Sequence, residues 1–132
     1  MCLKLLRKKN MLFYEERGKI GTFSFTFQQR VRKENKMLEN EYQSKLKRKI
    51  KNLLPGCIVL KNDPNIIQGI PDLLVLHESK WAALEVKKSE NEAHQPNQDY
   101  YVDKMNAMSF ASFIYPENEE VVLDALQRSL EA

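Results

Sequence analysis

From Met37 onward the chain switches between helical and strand spacing. Residues 38–54 place Tyr42, Leu46, Ile50 and Leu53 on one arc at about 100° per residue, and Pro55 and Gly56 end the run. A short apolar strand, residues 57–61 (CIVLK), closes on Asn62, Asp63 and Pro64. Gly69, Ile70 and Pro71 introduce a second strand, residues 72–76 (DLLVL), which ends in the polar run 77–80. Residues 81–87 (WAALEVK) make a third. The polar residues 89–95 predict a loop, and Pro96 suits the first turn of a helix running to about Met108, with Tyr101, Val102, Met105 and Met108 as its apolar arc. Residues 112–115 predict a fourth strand and residues 119–130 a last amphipathic helix. The order α-β-β-β-α-β-α predicts an α/β domain, a mixed four-stranded sheet flanked by helices.

Before Met37 the pattern differs. Phe23, Phe25 and Phe27 alternate with small polar residues, which predicts a strand over residues 20–27 between basic stretches. It reads as an added edge strand, an arm on DNA or an appendage. The expected division is therefore a basic segment, 1–36, and a functional domain, 37–132. No internal repeat or low-complexity tract interrupts either.

Composition adds limits. A chain of 132 residues, 42% hydrophobic and 30% charged, has the length and balance of one ordinary globular domain. Cys2 and Cys57 stand far apart with no Cys or His at metal-ligand spacing, so neither a disulfide framework nor a zinc site is expected, and a reducing cytoplasm is the natural compartment. No apolar run reaches the length of a membrane span, and Arg7, Lys8 and Lys9 cut the apolar start too short for a signal peptide. Charge is unevenly placed: residues 1–36 carry ten Lys or Arg against three Glu, a net +7, whereas residues 37–132 carry eleven against fifteen Asp or Glu, a net −4. The basic balance belongs to the leader, so net charge argues only weakly for a nucleic-acid partner.

The chemistry lies in the strands. Asp72 opens the second and Glu85, Val86 and Lys87 close the third. If the two strands are hairpin neighbours, both carboxylates reach the same end of the sheet. Glu85 and Lys87, two apart, leave one face. Two carboxylates and an ammonium within apolar strands are costly without a partner. A divalent cation between the carboxylates resolves this; hard oxygen ligands suit Mg²⁺, with Mn²⁺ as a substitute. Lys87 would then orient a water or meet charge developing on a phosphate.

Gly69, Ile70, Pro71 and Asp72, twelve intervening residues, then Glu85, Val86 and Lys87, together resemble the PD-(D/E)xK nuclease motif. The wording GIPDLLV and the short length are most similar to the small virus-type VRR-NUC and Holliday-junction-resolvase-like members, over roughly residues 37–126. The resemblance implies a restriction-endonuclease-like fold, Mg²⁺-dependent DNA cleavage, Val86 contributing its backbone carbonyl to the metal, a carboxylate on the first helix, and a Gln at the start of the helix after the third strand. Helix geometry offers candidates for both. Glu39 falls in the middle of the first helix's apolar arc, while Glu41 falls on the solvated side. Gln98, following Pro96 and Asn97, is centred on the apolar arc of the second helix. One departure stands out: Tyr115, Pro116 and Glu117 lack the basic residues that give the VRR-NUC group its name.

Plainer readings exist for each residue. Pro-Asp often only opens a strand, E-x-K is often a surface ion pair, Glu39 suits the positive end of a helix dipole, and Gln98 suits a helix-start hydrogen bond. Lys47 and Lys51, in a basic run, and Lys88 are solvated positions that could also track a phosphate backbone. His94 reads as a loop residue, His77 as a turn residue, and Trp81 with the Phe and Tyr residues as core. The expectation is a metal-dependent endodeoxyribonuclease selective for branched DNA and working as a homodimer. The alternatives are a sequence-specific restriction or homing nuclease, and a non-catalytic DNA-binding module.

Overall fold

A computed structural model describes the backbone of residues 4–8, 11–16, 19–22 and 24–132, and the side chains from residue 27 onward. The chain divides into two compact units, Met1–Leu38 and Glu39–Ala132. In the first, β1 (Lys4–Lys8), β2 (Met11–Glu16) and β3 (Lys19–Thr22) form an antiparallel sheet in that order. Helix α1 then runs Ser24–Leu53, and this corrects the strand expected over residues 20–27: only its first part is strand, Phe25 and Phe27 are helical, and Phe23 lies outside the described residues. The long run of Gln, Arg, Lys, Glu and Met from Gln28 onward is strongly helix-forming, and once nucleated it propagates toward the N-terminus past a weak three-residue alternation.

The second unit is α/β. Its four-stranded sheet has the order β4 (Ile58–Lys61), β5 (Leu73–His77), β6 (Lys80–Val86), β7 (Phe110–Ile114). The first three strands are an antiparallel meander, and β7 joins β6 in parallel after the crossover helix α2 (Gln98–Met108), which makes the sheet mixed. Helix α3 (Glu119–Glu131) ends the chain. Alternation along β6 sorts the layers. Ala82, Leu84 and Val86 point into a core with Leu46, Ile50 and Leu54 at the α1 end and Val122, Leu126 and Leu130 of α3. Ala83 points the other way, into a smaller cluster with Ala111 and Val102 of α2, against which Trp81, Met105 and Phe113 pack. Glu85, two residues beyond Ala83, shares the α2 face.

Element edges shift slightly from the expected ones. Helix α2 starts at Gln98, not Pro96, because Asn97 takes a left-handed conformation (φ 69°) that no helical residue can hold. Met108, assigned to its apolar arc, is 68% exposed, whereas Met105 packs against the cluster of Ala83, Val102 and Ala111. β7 begins at Phe110, two residues earlier than expected. Among the described residues, no helix is long and apolar enough to cross a membrane.

Candidate active site

The meander's register assembles the site. β5 and β6 pair with Leu73 opposite Leu84, so one step further sets Asp72 opposite Glu85. Asp72 Oδ2 accepts a hydrogen bond from the Val86 amide at 2.9 Å. Asn62 fixes the same corner from β4's side: its amide donates to the Asp72 carbonyl and its Nδ2 to the Pro71 carbonyl, both at 2.8 Å.

Glu85 and Lys87 leave the same face and are both 3% exposed. Gln98 joins them. Its Nε2 donates to Glu85 Oε1 at 2.6 Å, and its Oε1 accepts from Lys87 Nζ at 2.7 Å and from the Gln95 amide at 2.7 Å. The ammonium also donates to the Ala93 carbonyl at 3.2 Å. Gln98 therefore clamps carboxylate and ammonium at a fixed separation and keeps them from collapsing into a direct ion pair.

The clamp depends on a close backbone crossing. Gly69 has φ +87°, and a Cβ there would come within 2.7 Å of Asn97 C and Cβ and 2.8 Å of the Pro96 carbonyl. Only glycine fits against the left-handed turn that launches Gln98. The loop before Asp72 and the turn before Gln98 are thus locked together.

The electrostatics of the carboxylates are unfavourable as they stand. Burial pushes Glu85 well above the ordinary carboxylate range, and the charge of Asp72 pushes it further. Burial also raises Asp72, against the Val86 amide and the Lys61 and Lys87 ammonium groups, which lower it. Two buried carboxylates that face each other repel, and a proton on one relieves that repulsion. Glu85 Oε2 is buried and has no donor. A cation is the alternative to that proton, and the donor set fits one: Mg²⁺ commonly binds through one or two carboxylates and keeps its remaining positions for water and phosphate. Among the described residues, no group of three or more His, Cys, Asp or Glu side chains is arranged to hold a metal ion, so the fit rests on the Asp72 and Glu85 pair.

Glu39 stands at the edge of this pair. It is half-buried, its carboxyl is raised by burial first and by Asp72 next, and Gln43 Nε2 reaches its Oε1 at 3.5 Å. Glu41 faces solvent, paired with Lys45 at 3.2 Å. Val86 meets Asp72 through its amide. Lys47 is half-buried and Lys51 exposed on α1. Lys88 is exposed, and its amide donates to Glu92 Oε2 at 2.6 Å. His77 lies at the opposite end of β5 from Asp72.

Sequence reasoning missed several residues. Lys61 lowers the carboxyls of both Glu39 and Asp72, so it is a second cation beside the site. Gln43 is 3% exposed, with Oε1 unpartnered. Its i+4 spacing from Glu39 was the available signal. Asn62 passed as a turn former. Comparison of the chain with protein-family models, curated proteins and solved structures finds no match.

Proposed function

We propose that this chain is a divalent-metal-dependent endodeoxyribonuclease of the PD-(D/E)xK kind, with the sheet and helices of its second unit serving as a restriction-endonuclease-like fold. The observation that carries the reading is the pairing of Asp72 with Glu85, whose Oε2 is buried without a donor, beside a Lys87 ammonium clamped through Gln98. An ordinary structural ion pair would let Lys87 neutralise Glu85 directly. Here the ammonium is held away from the carboxylate by an intervening amide, which leaves both charges available to a third party.

In this reading Asp72 and Glu85 hold the cation, with Glu39 and the Val86 carbonyl as further oxygen donors. When bound, Mg²⁺ or Mn²⁺ would act as a Lewis acid on the phosphate and lower the pKa of a water. Lys87, its ammonium held by Gln98 and the Ala93 carbonyl, would meet charge developing on the phosphate. Gln98 orients Glu85 and Lys87 together. Lys47, Lys51 and Lys88 supply phosphate contacts that position the strand and carry no base information. The second unit offers no separate module for reading bases in a groove, so we propose recognition by DNA shape, with two subunits about a two-fold axis cutting two strands of a branch.

The test is purified protein with Mg²⁺, Mn²⁺ or EDTA against branched, flap, nicked and linear DNA, alongside Asp72→Ala and Glu85→Ala. Metal-dependent cleavage lost in both variants is expected. Cleavage that persists in both, or is absent on every substrate, overturns the reading. Sedimentation of the same samples checks the dimer, since a monomer cutting junction and linear duplex equally well removes the branched-DNA proposal.

A further inference from the structure

A second feature lies on the α2 face of the sheet beside the carboxylates. A cleft of about 380 Å³ opens over Val102 and Ala111 and is bounded by His94, Phe113, Asp103 and Asn118 among others. Phe113 is the β7 partner of Glu85 in the parallel register, so the cleft begins one strand away from the catalytic pair. His94 follows Ala93, whose carbonyl holds the Lys87 ammonium. Cleft and carboxylates therefore share a wall.

Its chemistry differs from that of the carboxylate site. Val102, Ala111 and Phe113 form an apolar strip within a mostly polar lining, which carries two carboxylates, Glu90 and Asp103, and no Lys or Arg. A phosphate would be repelled there. A flat ring with amino groups would be accepted, its face on the apolar wall and its edge toward the acidic and amide groups. The aromatic surface is already built. The His94 ring lies on Phe113 with centroids 4.1 Å apart and planes 14° apart, and His94 Nδ1 is fixed to Asp99 Oδ1 at 2.6 Å. With 40% of its side chain exposed, His94 keeps a free surface toward solvent while Phe113 backs it. A volume near the low end for small-ligand clefts, roughly 300–1,000 Å³, admits a single nucleoside and not a duplex.

We propose that this cleft receives one unpaired nucleobase of the strand being cut, stacked on the His94–Phe113 platform, with adenine, cytosine or guanine preferred over thymine because their amino groups face Asp103 and Glu90. The inference rests on the nuclease reading and narrows its substrate to DNA with an unpaired nucleotide at the scissile phosphate, because extracting a base from a duplex costs stacking and pairing that a flap or gap does not.

Binding and cleavage test it separately. The full-length ¹⁵N-labelled protein is titrated with dAMP, with deoxyribose 5-phosphate and with inorganic phosphate, without metal. Saturable shifts confined to residues 90–118 with dAMP, and none with the other two, are expected. Equal shifts with all three, or none at millimolar dAMP, overturn the cleft as a base site. His94→Ala should weaken dAMP binding about tenfold and His94→Phe should restore it, since stacking tolerates any aromatic ring; unchanged affinity in His94→Ala removes the platform. In the cleavage arm, an abasic residue replacing the unpaired base of a gapped substrate should slow cutting at least tenfold, and equal rates overturn the substrate assignment. If dAMP binds as expected but no DNA is cut, the cleft stands and the nuclease reading falls.

Discussion

At Glu85 two demands conflict: the strand buries the carboxylate, and Asp72 faces it. A carboxyl whose pKa is raised in the folded state keeps its proton there at pH values where the unfolded chain has already lost it. The folded chain then binds more protons from about pH 4, the ordinary carboxylate value, up to the raised value, and stability falls as pH rises through that window. Glu85→Gln should remove the loss. Thermal melts of the metal-free protein from pH 5 to 8 should show a declining melting temperature for the native chain and a flatter profile for the variant; identical slopes would place the carboxylates in solvent. On the nuclease reading the same variant should be inactive, because an amide cannot serve as an anionic ligand. Neighbouring positions on α1 make a sharper comparison. On that reading Glu39→Gln should reduce metal-dependent activity about tenfold or more, whereas Glu41→Gln should leave it within twofold, since Glu41 reaches only Lys45. Glu39 and Gln98 were legible because each is a polar group centred on an apolar helix arc, and Asp72, Glu85 and Lys87 because they are charged groups at the ends of apolar strands. Lys61 was not, because nothing in a strand end announces which neighbour it will face, and Gln43 was marked only by its i+4 spacing from Glu39.

At the scale of elements, the turn before α2 matters as much as the helix. Gly69 and Asn97 cross at a distance that excludes a Cβ, and both have positive φ. Gly69→Ala adds a methyl where two backbones meet and imposes left-handed strain, at a combined cost of about 1–3 kcal/mol. The cost should appear as a lower denaturant midpoint. On the nuclease reading, because the displaced segment carries Gln98, activity should fall further than the stability loss explains when measured well below the melting temperature. A variant that melts early yet cleaves normally would show that Gln98 is not held by this crossing. The strands and helices of the second unit were legible from period alone, to within a few residues at their ends. The start of α2 was displaced because the left-handed Asn97 answers to Gly69, far back along the chain. The strand expected through Phe25 and Phe27 failed for a related reason: a three-residue alternation was set against a long run of helix formers that continues directly from it.

At the scale of the molecule, the chain joins a basic unit to an acidic one. The core residues Leu46, Ile50 and Leu54 and every site residue lie beyond residue 36. Removing residues 1–36 should therefore leave a folded protein with the native pH dependence. On the nuclease reading, loss of a net +7 segment should weaken DNA binding and flatten its dependence on salt, because a protein that neutralises fewer phosphates releases fewer counterions. Circular dichroism and binding at two salt concentrations check both outcomes; failure to fold would make the first unit a structural requirement of the second. The sequence by itself determined the element order of the second unit, the α/β class and the identity of the charged groups set into its strands. These depend on local periodicity and on residue chemistry, which act over a few positions. Tertiary structure alone decided that Asp72 stands opposite Glu85, that Gln98 bridges Glu85 to Lys87, and that His94 lies on Phe113. Those relations depend on strand register and on a crossover, where residues distant in the chain are brought together by packing that no local pattern records.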